Sequence, residues 1–134
     1  MRDLLLVAAG GAVGSALRHA ATGLAQRLYA TGSGAAVSFP VGTLFVNVTG
    51  SFLIGLLMGL AESRAVLGAE ARLLLVAGVL GGYTTFSAFS LEALVLFRAG
   101  QPGTALSSVL LQVILGIAAA FAGLTAGIAA GRPA

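Results

Sequence analysis

The chain has 134 residues, of which 58% are hydrophobic and only 8% are charged. A soluble domain usually carries about a quarter of charged residues, so this composition excludes the ordinary soluble classes and predicts that the lipid bilayer is the solvent. The net charge of +3 comes from few and dispersed residues, which argues against a nucleic-acid partner, and the absence of cysteine excludes disulfides and thiolate metal sites.

Apolar segments divide the chain into four predicted spans. A spanning helix needs about 20 apolar residues, so one transmembrane domain over residues 1–134 is expected. Pro40 starts the second span, since proline fits the first turn of a helix, and residues 29–38 are expected to form the preceding loop. The predicted spans cover residues 4–24, 41–61, 72–97 and 104–130.

The first span has an alternative interpretation as a cleaved signal peptide. Arg2 precedes an apolar run, and the small residues Gly10 and Gly11 follow it, as in a leader with its cleavage site. Three further apolar stretches follow, and they favour a first membrane span.

The third span contains weak helix formers in its middle, where residues 81–85 read GGYTT. This composition predicts a break in the helix. A broken spanning helix exposes unpaired carbonyls, which suit cations, and amides, which suit anions. Such breaks are typical of ion sites.

The arginines are distributed over both sides of the predicted bundle, so the positive-inside bias is feeble. A protein with so little preference could insert in both orientations, and opposed copies could pair across a two-fold axis in the membrane plane. Weak orientation is also compatible with a monomer. The pairs Gly10/Gly14, Gly55/Gly59 and Gly123/Gly127 indicate close helix packing.

Three side chains inside the second and third spans have two interpretations each. Asn47 either joins helices by hydrogen bonds, which spacing alone favours, or lines a wet path. Phe86 and Phe89 share a helical face, which usually indicates packing, but the positive edges of their rings could instead face an anion.

Charged and polar residues near the ends of the spans also have two interpretations each. Glu92 is an acid deep in an apolar segment, yet at about 9 Å from the boundary it could reach water. Arg18 could attract anions into a vestibule or extend to the interface. Ser108 and Gln112 could support an ion track or merely follow a helix start.

Two motifs resemble the signatures of one known family. Residues 42–52 read GTLFVNVTGSF and residues 81–90 read GGYTTFSAFS, which are similar to the signatures of the Fluc (CrcB) fluoride channels. The spacing of Gly10, Gly14 and Arg18 resembles that family's first helix. The resemblance covers nearly the whole chain. Ala88 departs from it, since a threonine is common there in relatives.

The resemblance implies an all-α integral membrane protein of the bacterial plasma or inner membrane, an antiparallel dual-topology homodimer that passes fluoride passively. Asn47, Phe86 and Phe89 match the pore-lining positions, and Glu92 matches an acid beside the pore. Arg18 and Ser108 complete the fluoride pathway that we predict. The backbone carbonyls of Gly81 and Thr84 match the positions that hold a structural sodium ion on the dimer axis.

Two rival functions remain. A proton-coupled small multidrug exporter shares the length and span count, but the resemblance to that family would require a glutamate in the first span, and residues 4–24 contain none. A purely structural subunit would leave the polar cluster of the second and third spans unexplained. With His19 as the single histidine, the sequence offers no catalytic triad, so we expect no enzyme.

Overall fold

Four long helices account for most of the computed structural model, which describes residues 1–30, 39–64 and 67–132. All four are long and apolar enough to cross a membrane, with mean hydropathies from 1.4 to 2.2. The spans are Arg2–Ala30, Val41–Arg64, a third span from Ala69 to Arg98, and Pro102–Gly131. These helices confirm the predicted all-α membrane fold, whereas the single domain over residues 1–134 stays a prediction.

The third span is divided into two halves by an extended dipeptide. Thr84 (φ −86°, ψ 160°) and Thr85 (φ −152°, ψ 119°) both have extended backbones. The N-terminal half ends with the helical turn Gly81–Tyr83, and the C-terminal half is the helix Phe86–Arg98. The predicted break is therefore confirmed, and it lies at the two threonines rather than at the glycine pair.

The N-terminal half contains a π-helical segment, whose turns are wider than those of an α-helix and which the sequence pattern did not predict. It begins with the α-helical Ala69–Arg72 and continues as the π-helical segment Leu73–Leu80. At the end of this segment the N–H of Gly81 donates to the carbonyl of Val76, five residues earlier. Such segments often lie beside functional sites, and here the π-helical segment leads directly into the break.

Glycines bring the helices together in two close pairs. A Cβ added at Gly10 would meet the carbonyl oxygen of Leu74, so the first span lies directly against the π-helical segment. A Cβ at Gly55 would meet the Ala120 carbonyl, and one at Gly123 would meet the Phe52 carbonyl, which brings the second and fourth spans into equally close contact. The predicted packing role of the glycine pairs is confirmed.

Polar contacts tie the ends of the helices together. Arg2 forms an exposed ion pair of 2.8 Å with Glu70, so the first and third spans begin on the same side. On the opposite side, Gln26 donates to the Phe39 carbonyl and accepts from the Gly42 N–H, both at 3.3 Å, which holds the start of the second span against the first. The first helix continues to Ala30, two residues into the loop predicted at residues 29–38, and the rest of that loop, residues 31–38, lies outside the described residues.

The interior of the described bundle is thin and partly polar. Val46, Leu96 and Ser108 are its largest fully buried side chains, and the buried polar residues are Thr43, Ser108 and Gln112. Many large apolar side chains, such as Leu4 at 71% and Phe121 at 65%, are exposed, as expected of a lipid-facing surface. Buried polar groups thus mark one region of the molecule.

Candidate functional site

Asn47 is the centre of the polar region. Its Nδ2 donates to the carbonyl oxygen of Thr85 at 3.1 Å and to Oε1 of Gln112 at 2.8 Å, and its Oδ1 accepts from the Thr85 N–H at 2.8 Å. Both amide protons and the amide oxygen are therefore engaged. These bonds join the second, third and fourth spans at the break in the third span.

A row of polar side chains on the fourth span leads away from Asn47. Gln112 lies one turn after Ser108, and its Nε2 donates to Ser108 Oγ at 3.5 Å. Ser108 is 1% exposed and Gln112 is 7% exposed. Burying a polar group without a hydrogen-bond partner costs free energy. The contacts that run from Ser108 through Gln112 to Asn47 provide partners for these buried side chains.

Phe86 and Phe89 form an aromatic pair immediately after the break. Their ring centroids lie 5.3 Å apart with an angle of 47° between the planes, an ordinary tilted arrangement for two aromatic rings. Phe86 is 79% exposed, whereas Phe89 is partly buried. The pair therefore presents a ring surface that the single chain does not cover.

An open cavity of about 380 Å³ brings these groups together. It lies between the second, third and fourth spans, and most of its lining is apolar. Among the residues predicted for the site, the ones that line it are Asn47, Gly81, Thr84, Phe86 and Phe89. The remaining predicted residues, Glu92, Arg18 and Ser108, do not line it.

Glu92 turns toward the second span. Thr43 Oγ1 donates to Glu92 Oε1 at 2.6 Å, and Thr43 lies one turn before Asn47 on the same helix. The other carboxylate oxygen, Oε2, is buried without a hydrogen-bond partner in the described part of the chain. The carboxylate is thus held inside the bundle instead of extending along its own helix to water.

Arg18 reaches the break from the first span. Its Nη1 donates to the carbonyl oxygen of Thr84 at 3.3 Å. This contact holds the guanidinium at the centre of the third span, and it shows that the Thr84 carbonyl is accessible to a cationic donor from outside its own helix.

Sequence reasoning left Thr85 and Thr43 out of the site, and it named Gln112 only as part of a possible ion track. The four-residue spacing of Ser108 with Gln112, and of Thr43 with Asn47, was the available signal, because such pairs share one helical face. Thr85 had no such signal, since its role depends on its extended backbone. Within the described ranges, no group of three His, Cys, Asp or Glu residues could hold a metal ion.

Comparison with known proteins identifies the family. A family described as "CrcB-like protein, Camphor Resistance (CrcB)" matches residues 5–124. Proteins named "Fluoride-specific ion channel FluC" are 48% identical in Agrobacterium fabrum, over 95% of this chain and 97% of the relative, and 49% identical in Rhizobium meliloti, over 92% and 94%. Another of that name, from Thermus thermophilus, is 47% identical over 95% of this chain and 96% of its own length. The chain therefore belongs to the CrcB family.

Proposed function

We propose that the protein is a fluoride-specific ion channel that passes fluoride passively across a bacterial membrane and is not an enzyme. The observation that carries this proposal is the identity of 47–49% with proteins named as fluoride-specific channels, over at least 92% of the chain. Four helices of membrane-spanning length and a polar cluster at a broken helix are features that such a channel requires.

The fluoride pathway would use the residues around the break. Fluoride is small and strongly hydrated, so its water must be replaced by donors such as the Asn47 amide, hydroxyl groups such as Ser108, and the ring edges of Phe86 and Phe89. Since both Asn47 protons are already engaged, fluoride would displace one of their acceptors. We expect the displaced acceptor to be Gln112 Oε1, because a side chain can rotate away about its own bonds whereas the Thr85 carbonyl is part of the backbone. The charged residues Arg18 and Glu92 would determine the electrostatic potential on either side of this pathway.

An antiparallel homodimer in the bilayer is the partner arrangement that we favour. The cavity is open on one side, and Phe86 beside it is 79% exposed. A Cβ added at Gly81 would meet nothing nearer than the Val76 carbonyl at 3.7 Å, so the backbone there can be approached closely. An inverted second copy seated on this opening would enclose the path.

The carbonyls of Gly81 and Thr84 are the proposed ligands of a structural sodium ion. Hard cations bind oxygen ligands, and a helix break provides carbonyl oxygens without side-chain charge. The Thr84 carbonyl already accepts from Arg18 at 3.3 Å, so the ion would use the second lone pair of this oxygen. When bound, sodium supplies a positive charge that offsets the dipoles of the broken backbone.

Fluoride release from proteoliposomes tests the proposed function. Purified protein is reconstituted with internal fluoride, and release is followed with a fluoride electrode after a potassium ionophore has removed the membrane potential. Fast release of fluoride but not of chloride from the same preparation is expected. If well-folded protein moves neither anion, the channel proposal is wrong, and proton-coupled export of hydrophobic cations becomes the next function to measure.

A further inference from the structure

We infer that the side chains of Asn47 and Thr85 are positioning residues that release the carbonyls of Gly81 and Thr84 from helical hydrogen bonds and so create the cation site. The inference rests on the sodium ion of the proposed function. It assigns to Asn47 a task besides any contact with fluoride, and it gives Thr85 a role that the sequence motifs did not suggest.

The Gly81 carbonyl is released by Asn47. In an uninterrupted helix the N–H of Thr85 would donate to this carbonyl, four residues earlier. Here the Thr85 N–H donates to Asn47 Oδ1 at 2.8 Å, while Asn47 Nδ2 donates back to the Thr85 carbonyl at 3.1 Å. The amide therefore pairs with both backbone groups of Thr85 and holds that residue extended.

The Thr84 carbonyl is released by Thr85 in the same manner. In a continuous helix the N–H of Ala88 would donate to it, but this N–H donates instead to Thr85 Oγ1 at 3.2 Å, where Thr85 caps the following helix. The Thr84 carbonyl oxygen, released from its helical bond, accepts from Arg18 at 3.3 Å and keeps a second lone pair.

The two released carbonyls are three residues apart and belong to residues that line the same open cavity. A simpler account is that these side chains only satisfy the broken backbone, which buried polar groups require. Both accounts predict that removing the side chains lowers stability. Only the positioning account predicts that the dependence of stability on sodium also changes, because the carbonyls would return to helical bonds.

The test measures thermal unfolding of the purified full-length protein in detergent micelles at increasing sodium concentration, with N-methylglucamine keeping the ionic strength constant. The readout is the sodium concentration that gives half of the maximal stabilisation. Asn47→Leu and Thr85→Val remove the diverting groups. Thr85→Ser keeps the capping hydroxyl, and Thr49→Val is the matched control, since Thr49 bonds to Phe45 and Tyr83 but not to the released carbonyls.

We expect Asn47→Leu and Thr85→Val to raise the half-maximal sodium concentration by about tenfold or more, which corresponds to about 1.4 kcal/mol of binding free energy. Thr85→Ser and Thr49→Val should keep the wild-type value. Unchanged sodium dependence in Thr85→Val, which preserves the shape of the side chain, would overturn the inference. A wild-type protein without any sodium dependence would overturn it as well, and fluoride release by that same protein would still decide the proposed function separately.

Discussion

Phe86 is an aromatic residue at the middle of a span whose ring is 79% exposed in the single chain. Because little packing depends on it, Phe86→Ile should leave the fold intact while removing a ring edge from the proposed fluoride pathway. We expect the rate of fluoride release to fall by roughly two- to thirteenfold, which corresponds to the about 0.5–1.5 kcal/mol of an aromatic contact.

Phe97→Ile is the matched control for this measurement. Phe97 is 64% exposed on the same half of the third span, but it does not line the cavity. Release at the wild-type rate from Phe86→Ile vesicles, or an equal loss in both variants, would remove Phe86 from the pathway.

Thr43 supplies the bond of 2.6 Å to the Glu92 carboxylate and is itself 2% exposed. Thr43→Val keeps the shape of the side chain and leaves this carboxylate without that donor. The expected loss is roughly 1–3 kcal/mol in the free energy of unfolding, since a buried acceptor loses its partner. Denaturant unfolding in micelles provides the measurement.

Thr125→Val controls for loss of a threonine hydroxyl, because Thr125 is exposed and bonds only within its own helix, to the Ala122 carbonyl. This variant should remain within about 0.5 kcal/mol of the wild-type protein. Equal stability of the Thr43 and Thr125 variants would mean that the Glu92 contact contributes little.

At the scale of helices, the second and fourth spans depend on glycine for their close approach. A Cβ at Gly123 would meet the Phe52 carbonyl, whereas one at Gly116 on the same span would meet only Ser51 Oγ, at an ordinary 3.5 Å. Gly123→Ala should therefore lower the free energy of unfolding by about 1–3 kcal/mol through overpacking. Gly116→Ala should be neutral or stabilising by up to about 1 kcal/mol. Thermal unfolding of both variants in one detergent compares them, and a neutral Gly123→Ala would show that the helices can separate at low cost.

Hydropathy and turn chemistry were sufficient to predict the four helices and the interruption of the third. They could not predict the π-helical segment Leu73–Leu80. Its sequence, LLLVAGVL, is apolar throughout, and it contains nothing that distinguishes hydrogen bonds spanning five residues from those spanning four. The contact of Arg18 with Thr84 could not be predicted either, since 66 positions separate the two residues. An arginine near the predicted end of the first span can extend to the membrane boundary or face the interior of the bundle. Asn47 was identified as important, but Thr85 and Gln112 as its partners emerge only from the folded arrangement.

For the whole molecule, the proposed inverted pairing requires that copies insert both ways. The chain has no cysteine, so Ala99→Cys, in the exposed turn between the third and fourth spans, introduces a single reactive site. A membrane-impermeant maleimide should label about half of the copies in sealed cells, as expected for a protein without orientational bias. Labelling after detergent solubilisation gives the total. Labelling of all copies or of none in sealed cells would demonstrate one orientation and exclude the antiparallel dimer.

The π-helical segment has a consequence for the changes in chain length that the protein can tolerate. Everything after it, including Gly81 and Thr84, takes its angular position around the axis of the third span from the number of residues in Leu73–Leu80. Removing one residue from an α-helix rotates all later residues of that helix by about 100°. A π-helical segment has wider turns, closed by hydrogen bonds to the residue five positions earlier, so after the loss of one residue it can return to α-helical bonds with the later residues close to their former positions. A single-codon deletion within Leu73–Leu80 should therefore leave the break facing the cavity, whereas the same deletion in the α-helix Phe86–Arg98 would turn all later residues of that helix.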